Sequence, residues 1–196
     1  MRLTSSRQTA KSQTTTVTVG SIGPDVQVWQ HIAKSSQAKK LGLKIKVKAF
    51  TDGPSLLRAT SDGSINVSAF ASWAYLEAYN KSKSNTGQQV ALATTYLEPM
   101  GIYSSKYKKL SDLPKGATIA LAGNLNVLKD SLDHEKIDQS TKNNINVLAT
   151  AKKSKNNAAY KKLGKLYHNK QIQKWIAKKY SGTKVEVNKP VSYLTD

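Results

Sequence analysis

Cysteine is absent from the 196 residues. Disulfides and thiolate metal sites are therefore excluded. Arginine is nearly absent as well: Arg2, Arg7 and Arg58 stand among 31 basic residues, and the rest are lysine. Surfaces that read nucleic-acid bases lean on bidentate arginine, so this composition argues against base reading. Acidic residues are scarce, 12 in all, which leaves a net charge of +19. None of them forms a suggestive carboxylate pair for acid–base catalysis. Also missing are GxSxG, HExxH, a Walker phosphate loop and GxGxxG. His31, His134 and His168 share no metal-ligand spacing, and His31 reads as a surface or packed residue of a helix. No apolar run approaches the roughly 20 residues of a membrane-spanning helix, and no signal-peptide core is visible. With 38% hydrophobic residues and a mean hydropathy of −0.50, the chain reads as globular, with no metal, no cofactor and no catalytic centre expected.

The lysines themselves admit three readings. They can form a solvated helix face, a nucleic-acid surface, or a surface drawn to an anionic membrane or cell wall. All three imply salt-sensitive adsorption, and only the second implies saturable nucleic-acid binding. The solvated face is the commonest of the three.

Along the chain, strand-like and helix-like runs alternate. Residues 1–16 are polar and read as a disordered tether. Residues 17–20 (VTVG) read as a strand, and Pro24 opens a helix with Val26, Trp29, Ile32 and Ala33 as its apolar stripe, ending at Gly42. Residues 43–50 (LKIKVKAF) alternate apolar and lysine, the pattern of a strand with one wet face. Strand, helix, strand implies a right-handed parallel βαβ unit. Pro54 starts a second helix that buries Leu56, Leu57 and Ala59 and stops at Gly63. Residues 65–70 (INVSAF) make the next strand, with Ser72 as a helix N-cap. A strand running from residue 90 to 96 then meets Glu98-Pro99-Met100-Gly101, and 102–104 reads as strand again. Pro99 removes a donor and Gly101 admits unusual dihedrals. That break suits either a crossing between lobes or an edge strand with a bulge. A turn at 110–116 and a strand at 118–122 follow. The pattern is weak over 125–143. A strand at 145–150, two helical pieces broken near His168, and short closing strands at 184–187 and 191–194 complete the chain. The class is α/β.

Open α/β sheets bind ligands beyond the carboxyl ends of their strands. Candidates there are Ser21, Asp52-Gly53, then Phe70, Ser72, Trp73 and Tyr75, and finally Asn124 after the 118–122 strand. Helix N-termini would offer N–H groups to a carboxylate, and aromatic rings would hold an apolar group. The three aromatics can equally be core.

The stretch EPMGIYSSKYKKLSDLPKGATIALAGN resembles the central signature of the MetQ/NlpA family, the lipoprotein substrate-binding components of methionine ABC importers. The likeness extends over TVTVGSIGPDVQVWQHIA, over FTDGPSLLRATSDGSINVSAF, and over the helix end at 175–180; it covers most of 17–123 and resumes near 145. It implies a periplasmic-binding-protein-like fold of type II, two α/β lobes joined by crossing strands at 96–103 and 145–151. Residues 17–97 and 151–196 would form the first lobe and 98–150 the second, with Pro99, Met100 and Gly101 as hinge. The family motif Phe-Gln-His-x-x-Tyr is matched at its ends by Phe70 and Tyr75, while Ala71 and Ser72 replace Gln and His. Gly53 stands where the family has a tyrosine. The family's carboxylate-binding arginine and a later asparagine have no counterpart. Two βα units, about sixty residues, could be missing after Asn124. A buried carboxylate without a charged partner is costly, which points away from methionine itself.

The resemblance further implies a small amino-acid-like ligand, an importer membrane subunit as partner, and an extracytoplasmic place at the cell surface. It also implies a lipid anchor, whose cysteine this chain does not contain. No specific nucleic acid is expected. The rival readings are a degenerate paralogue acting as a basic adhesin and a nucleic-acid-binding module.

Overall fold

The computed structural model describes residues 14–82, 87–118 and 128–196. β1 (Thr15–Ile22) and β2 (Leu43–Phe50) lie parallel over their full length, Thr15 against Leu43 and Ile22 against Phe50. Between them run α1 (Pro24–Lys34) and the short α2 (Ser36–Lys40). α3 (Gly53–Asp62) leads to β3 (Val67–Ser72), which joins the other side of β1 in parallel. α4 (Trp73–Lys81) then precedes β4 (Gln89–Thr94). The sheet order is β2-β1-β3-β8-β4, where β8 (Asn146–Ala151) is antiparallel to both neighbours. The expected α/β class and the parallel βαβ start are therefore present, in a mixed sheet.

Patterning explains most of these elements. In β2 the alternation buries Leu43 and Ile45 and exposes Lys44, Lys46 and Lys48. β2 is an edge strand, where lysines discourage pairing with another chain. In α1 the buried residues are Asp25, Val28, Trp29 and Ile32, so Val26 and Ala33 lie beside the stripe rather than in it. The helix expected to run to Gly42 breaks at Ser35. That residue adopts an extended backbone, and its hydroxyl accepts the Ala38 N–H at 3.1 Å, starting α2. Gly63 ends α3 with φ of 92°, in the left-handed region where glycine is favoured.

Two apolar layers hold the sheet. One packs α1, α2, α5 (Ala158–Tyr167) and α6 (Lys170–Lys179) against Val17, Val19, Val67 and Leu148. The other packs Leu57 of α3, Leu76 of α4 and Leu194 against Ala71, Val147 and Ala149.

Several expectations are corrected. Thr15 and Thr16 are not tether: they pair with Leu43 and Lys44 in the ladder. The third strand begins two residues later than expected and runs on through Ser72. Residues 146–150, assigned above to the second lobe, are an interior strand of the large sheet, and Val147 through Ala151 are all buried. Residues 191–194 form a 3₁₀ turn, Val191–Leu194, because Pro190 before it lacks a ladder donor. The 184–187 strand is β9 (Val185–Glu186), which pairs with β5 (Tyr96–Leu97). Past Pro99, β6 (Gly101–Ile102) is shorter than expected and pairs with β7 (Asp133–His134). Among the described residues of 98–145, that two-stranded ladder and 3₁₀ turns are all the regular structure. The strand expected at 118–122 lies outside the described residues, Thr118 excepted. Among the described residues no helix is long and apolar enough to cross a membrane.

Candidate functional site

Because β1, β2 and β3 are parallel, the helices that follow them all start at the same end of the sheet. Adjacent registers bring those starts together: Ile22 lies beside Phe50, and Ser21 beside Ala69. α3 is capped by Asp52, whose carboxylate accepts the Ser55 N–H at 2.8 Å and the Ser55 hydroxyl at 2.9 Å. Those two bonds hold the Asp52 carboxyl below its ordinary range. α4 is capped by Ser72, whose hydroxyl oxygen accepts the Tyr75 N–H at 3.3 Å.

Phe70, Tyr75 and Gly53 meet here. The two rings make an edge-to-face pair with centroids 5.6 Å apart. Both press onto Gly53: a Cβ there would sit 2.7 Å from Tyr75 Oη and 2.8 Å from Phe70 Cε1. Lack of a side chain at 53 is thus what lets the aromatic pair settle on the start of α3. Tyr75 is 38% exposed, so its ring is open to a ligand, whereas Phe70 is half-buried. A hollow of about 240 Å³ lies alongside, lined by Pro54, Arg58, Tyr75, Ala78, Tyr79 and Ser82. Arg58 is the one arginine among the described residues.

Other expected members are engaged elsewhere. Ser21 is fully buried and its hydroxyl donates to Ala69 O at 2.6 Å, a bond between strands. Trp73 packs into the second apolar layer, and its N–H donates to Ile145 O at 2.8 Å. Asn124 lies outside the described residues.

At Pro99–Gly101 the chain passes from β5, which pairs with β9, to β6. Met100 is exposed and exchanges hydrogen bonds with Glu135: its N–H donates to Glu135 Oε2, and its carbonyl accepts the Glu135 N–H, both at 2.9 Å. Gly101 does not use the positive φ that glycine permits. Its need for glycine is steric, since a Cβ would lie 2.8 Å from the Tyr103 ring. A hollow of about 340 Å³ sits between Met100–Ile102 and Asp133–Glu135.

Just before that point lies a polar cluster that sequence reading missed. Lys184 Nζ is 2.6 Å from Glu98 Oε1 and 2.8 Å from Asp25 Oδ1. The Tyr96 hydroxyl donates to Asp25 Oδ2, and Lys184 lies 4.0 Å over the Tyr96 ring. The Tyr180 hydroxyl donates to Pro24 O at 2.7 Å and closes the cluster onto α1. Burial pushes the Asp25 carboxyl above its ordinary value, outweighing Lys184 and Tyr96, which act the other way. Burial likewise pushes the Tyr96 phenol well up. The sequence held one signal: an acid in the first turn of a helix, where the dipole favours it.

The histidines are structural in placement. His31 stacks on Trp175 at 3.9 Å, and its burial lowers its pKa. His168 lies at the break between α5 and α6, with Nδ1 2.7 Å from Glu186 Oε1 and Nε2 2.9 Å from Thr94 O. Among the described residues no group of three His, Asp or Glu is placed to hold a metal.

Strand order, antiparallel return and helix starts together define a periplasmic-binding-protein-like fold of type II with a reduced second lobe. The chain belongs to the NlpA lipoprotein family, which matches residues 17–125 and 120–188. Those two segments overlap at 120–125. The methionine-binding lipoprotein MetQ of Bacillus subtilis (strain 168) is 40% identical over 88 residues, 44% of this chain and 31% of that one. A membrane lipoprotein of Treponema pallidum (strain Nichols) is 29% identical over 106 residues, 54% of this chain and 38% of that one. The matched stretches thus span about a third of these curated relatives. A Burkholderia cenocepacia nutrient-binding protein, solved bound to methionine, shares the fold at a TM-score of 0.66 and 24% identity. That match covers 87% of this chain and 99% of the other.

Proposed function

We propose that this chain is an extracytoplasmic solute-binding protein serving an ABC importer, and that it performs no catalysis. Its ligand is a small amino-acid-like solute, methionine or a relative of it. The observation that carries the reading is the Phe70–Tyr75 pair resting on Gly53 at the start of α3. It lies beyond the carboxyl ends of parallel strands, where such folds bind ligands.

Roles follow from the chemistry. Phe70 and Tyr75 would hold the apolar part of the solute. Ser72 keeps its hydroxyl proton to donate toward a polar group, since its oxygen already accepts from Tyr75 N–H. Arg58, beside Tyr75, is the cation best placed to pair with a carboxylate. The segment after Pro99–Gly101 would close over this surface by hinge motion, with Asn124 contributing from that side. An importer membrane subunit would then receive the closed form.

The test is a ligand panel read by intrinsic tryptophan fluorescence and unfolding temperature. It contains L- and D-methionine, methionine sulfoxide, methionyl dipeptides and other amino acids. A ligand at a hundred times its Kd should raise stability by about 2.7 kcal/mol. Tyr75→Ala should abolish the response. Silence across the whole panel defeats the proposal.

A further inference from the structure

We propose that the helical layer formed by α1, α2, α5 and α6 docks on the surface of an anionic phospholipid bilayer. This does not depend on the solute-binding reading, because it concerns the opposite side of the sheet from α3 and α4.

Charge is distributed unequally between the two sides. α5 carries three lysines and α6 carries four, with no carboxylate in either. α1 and α2 add Lys34, Lys39 and Lys40. The one acid of the layer, Asp25, is buried and paired with Lys184. Among the described residues, none of the layer's ten lysines has an ion-pair partner. Acids elsewhere are not so excluded: α3 holds Asp62 and α4 holds Glu77, which pairs with Lys81.

These helices form one contiguous surface. His31 of α1 stacks on Trp175 of α6, and Gln37 of α2 bonds Gln171 of α6. Lys162 of α5 donates to Leu41 O, just past α2, at 3.0 Å.

The character of the layer selects its occupant. It contains no arginine, so it lacks the forks that grip individual phosphates and bases. Among the described residues the exposed large apolar ones are Tyr75, Met100 and Leu110, all outside it, so it offers no platform for stacked bases. Point charges spread over a broad face suit a diffuse anionic plane, where each lysine adds attraction within a Debye length.

The full chain is mixed with vesicles of phosphatidylcholine alone, or of phosphatidylcholine with about one-third phosphatidylglycerol, and sedimented. Binding is expected on the anionic vesicles only, released by salt. Reversing Lys39, Lys165, Lys174 and Lys178 to Glu should lower partitioning by about a hundredfold or more. The comparison variant reverses Lys81, Lys108, Lys109 and Lys136, all outside the layer, and so changes net charge equally. It should keep most of the binding. Circular dichroism and the unfolding midpoint establish that both variants fold. Equal loss in the two variants would reduce the effect to net charge and overturn the proposal. So would absence of binding to anionic vesicles, or tighter saturable binding to duplex DNA that strips the protein from them.

Discussion

Replacing Lys184 by methionine tests the buried cluster of Lys184, Asp25, Glu98 and Tyr96. Lys184 is almost fully buried and touches two carboxylates of different standing. Glu98 is about a third exposed, so losing that pair costs little. Asp25 is 7% exposed and would be left as a buried carboxylate with the Tyr96 hydroxyl but no cation. Breaking such a pair from one side costs about 3–5 kcal/mol. For a chain of this size each kcal/mol is worth about 2–4 °C, so the unfolding temperature should fall by about 10 °C. The pH dependence gives the sharper test. In the fold, the Asp25 carboxyl already sits above its ordinary value of 3.8, because burial outweighs Lys184. A carboxyl raised by folding favours the fold when protonated, and its penalty grows as pH rises through the folded value. Without Lys184 that value rises further, so the defect should be largest at neutral pH and shrink as pH falls toward 3.8. Urea unfolding at neutral and mildly acid pH, followed by tryptophan fluorescence, measures this. Asp25→Asn combined with Lys184→Met should recover most of the loss, since no unpaired charge remains. A single variant as stable as the parent, or a defect identical at both pH values, would refute the reasoning.

Three further outcomes are expected. Gly53→Ala has an allowed backbone but places Cβ against both rings, so solute affinity should change about tenfold or more while stability moves by less than about 1 kcal/mol; calorimetric titration beside chemical unfolding separates the two. Asp52→Ala removes a carboxyl whose pKa the fold lowers: the parent's contribution is present above 3.8 and lost as pH falls through the folded value, so the variant should show a shallower acid limb in an unfolding-midpoint profile. Leu148→Ala empties a fully buried position on the central strand β8 and should cost about 2–5 kcal/mol in urea unfolding, leaving Tyr75 and its hollow in place.

What the sequence reveals here follows the range of the interactions involved. LKIKVKAF states its own two faces, and Pro24 and Pro54 mark helix starts, because those effects act within a turn or a strand. Ser72 as a cap is equally local. The break at Ser35 is local too, yet the apolar stripe runs across it and hides it. Residues 145–150 read correctly as strand, but nothing in them tells an interior strand of the large sheet from a crossing to another lobe. Burial on both faces comes from the two layers that cover the sheet, Leu148 facing one and Val147 and Ala149 the other. Asp25, Glu98 and Lys184 come from three separated segments, and no spacing rule connects them. At the candidate site, Phe70 and Tyr75 were legible through the family motif. Their fit onto Gly53 was not, because it depends on how two rings fill a missing side chain.

That fit also orders the candidate site. A ring of groups around the strand ends looks generous in sequence, but each must have an atom left to offer. Ser21 gives its hydroxyl proton to Ala69 O, and Trp73 gives its backbone N–H to Ile145 O while its ring packs in the second apolar layer. Both serve the sheet and the joint between α4 and β8. The groups still able to meet a solute are Tyr75, Ser72 and the edge of Phe70, with Arg58 one helical turn past Pro54. All of them stand on β3, α3 and α4, elements built by the first lobe alone. The second segment braces them from one side: Ile145 O accepts the Trp73 backbone N–H, and Ile137 and Ile145 pack in the apolar layer that holds Phe70 and Leu76. Ligand choice should respond to substitutions at Gly53 and Arg58, which border Tyr75, more strongly than to changes in the β6–β7 ladder.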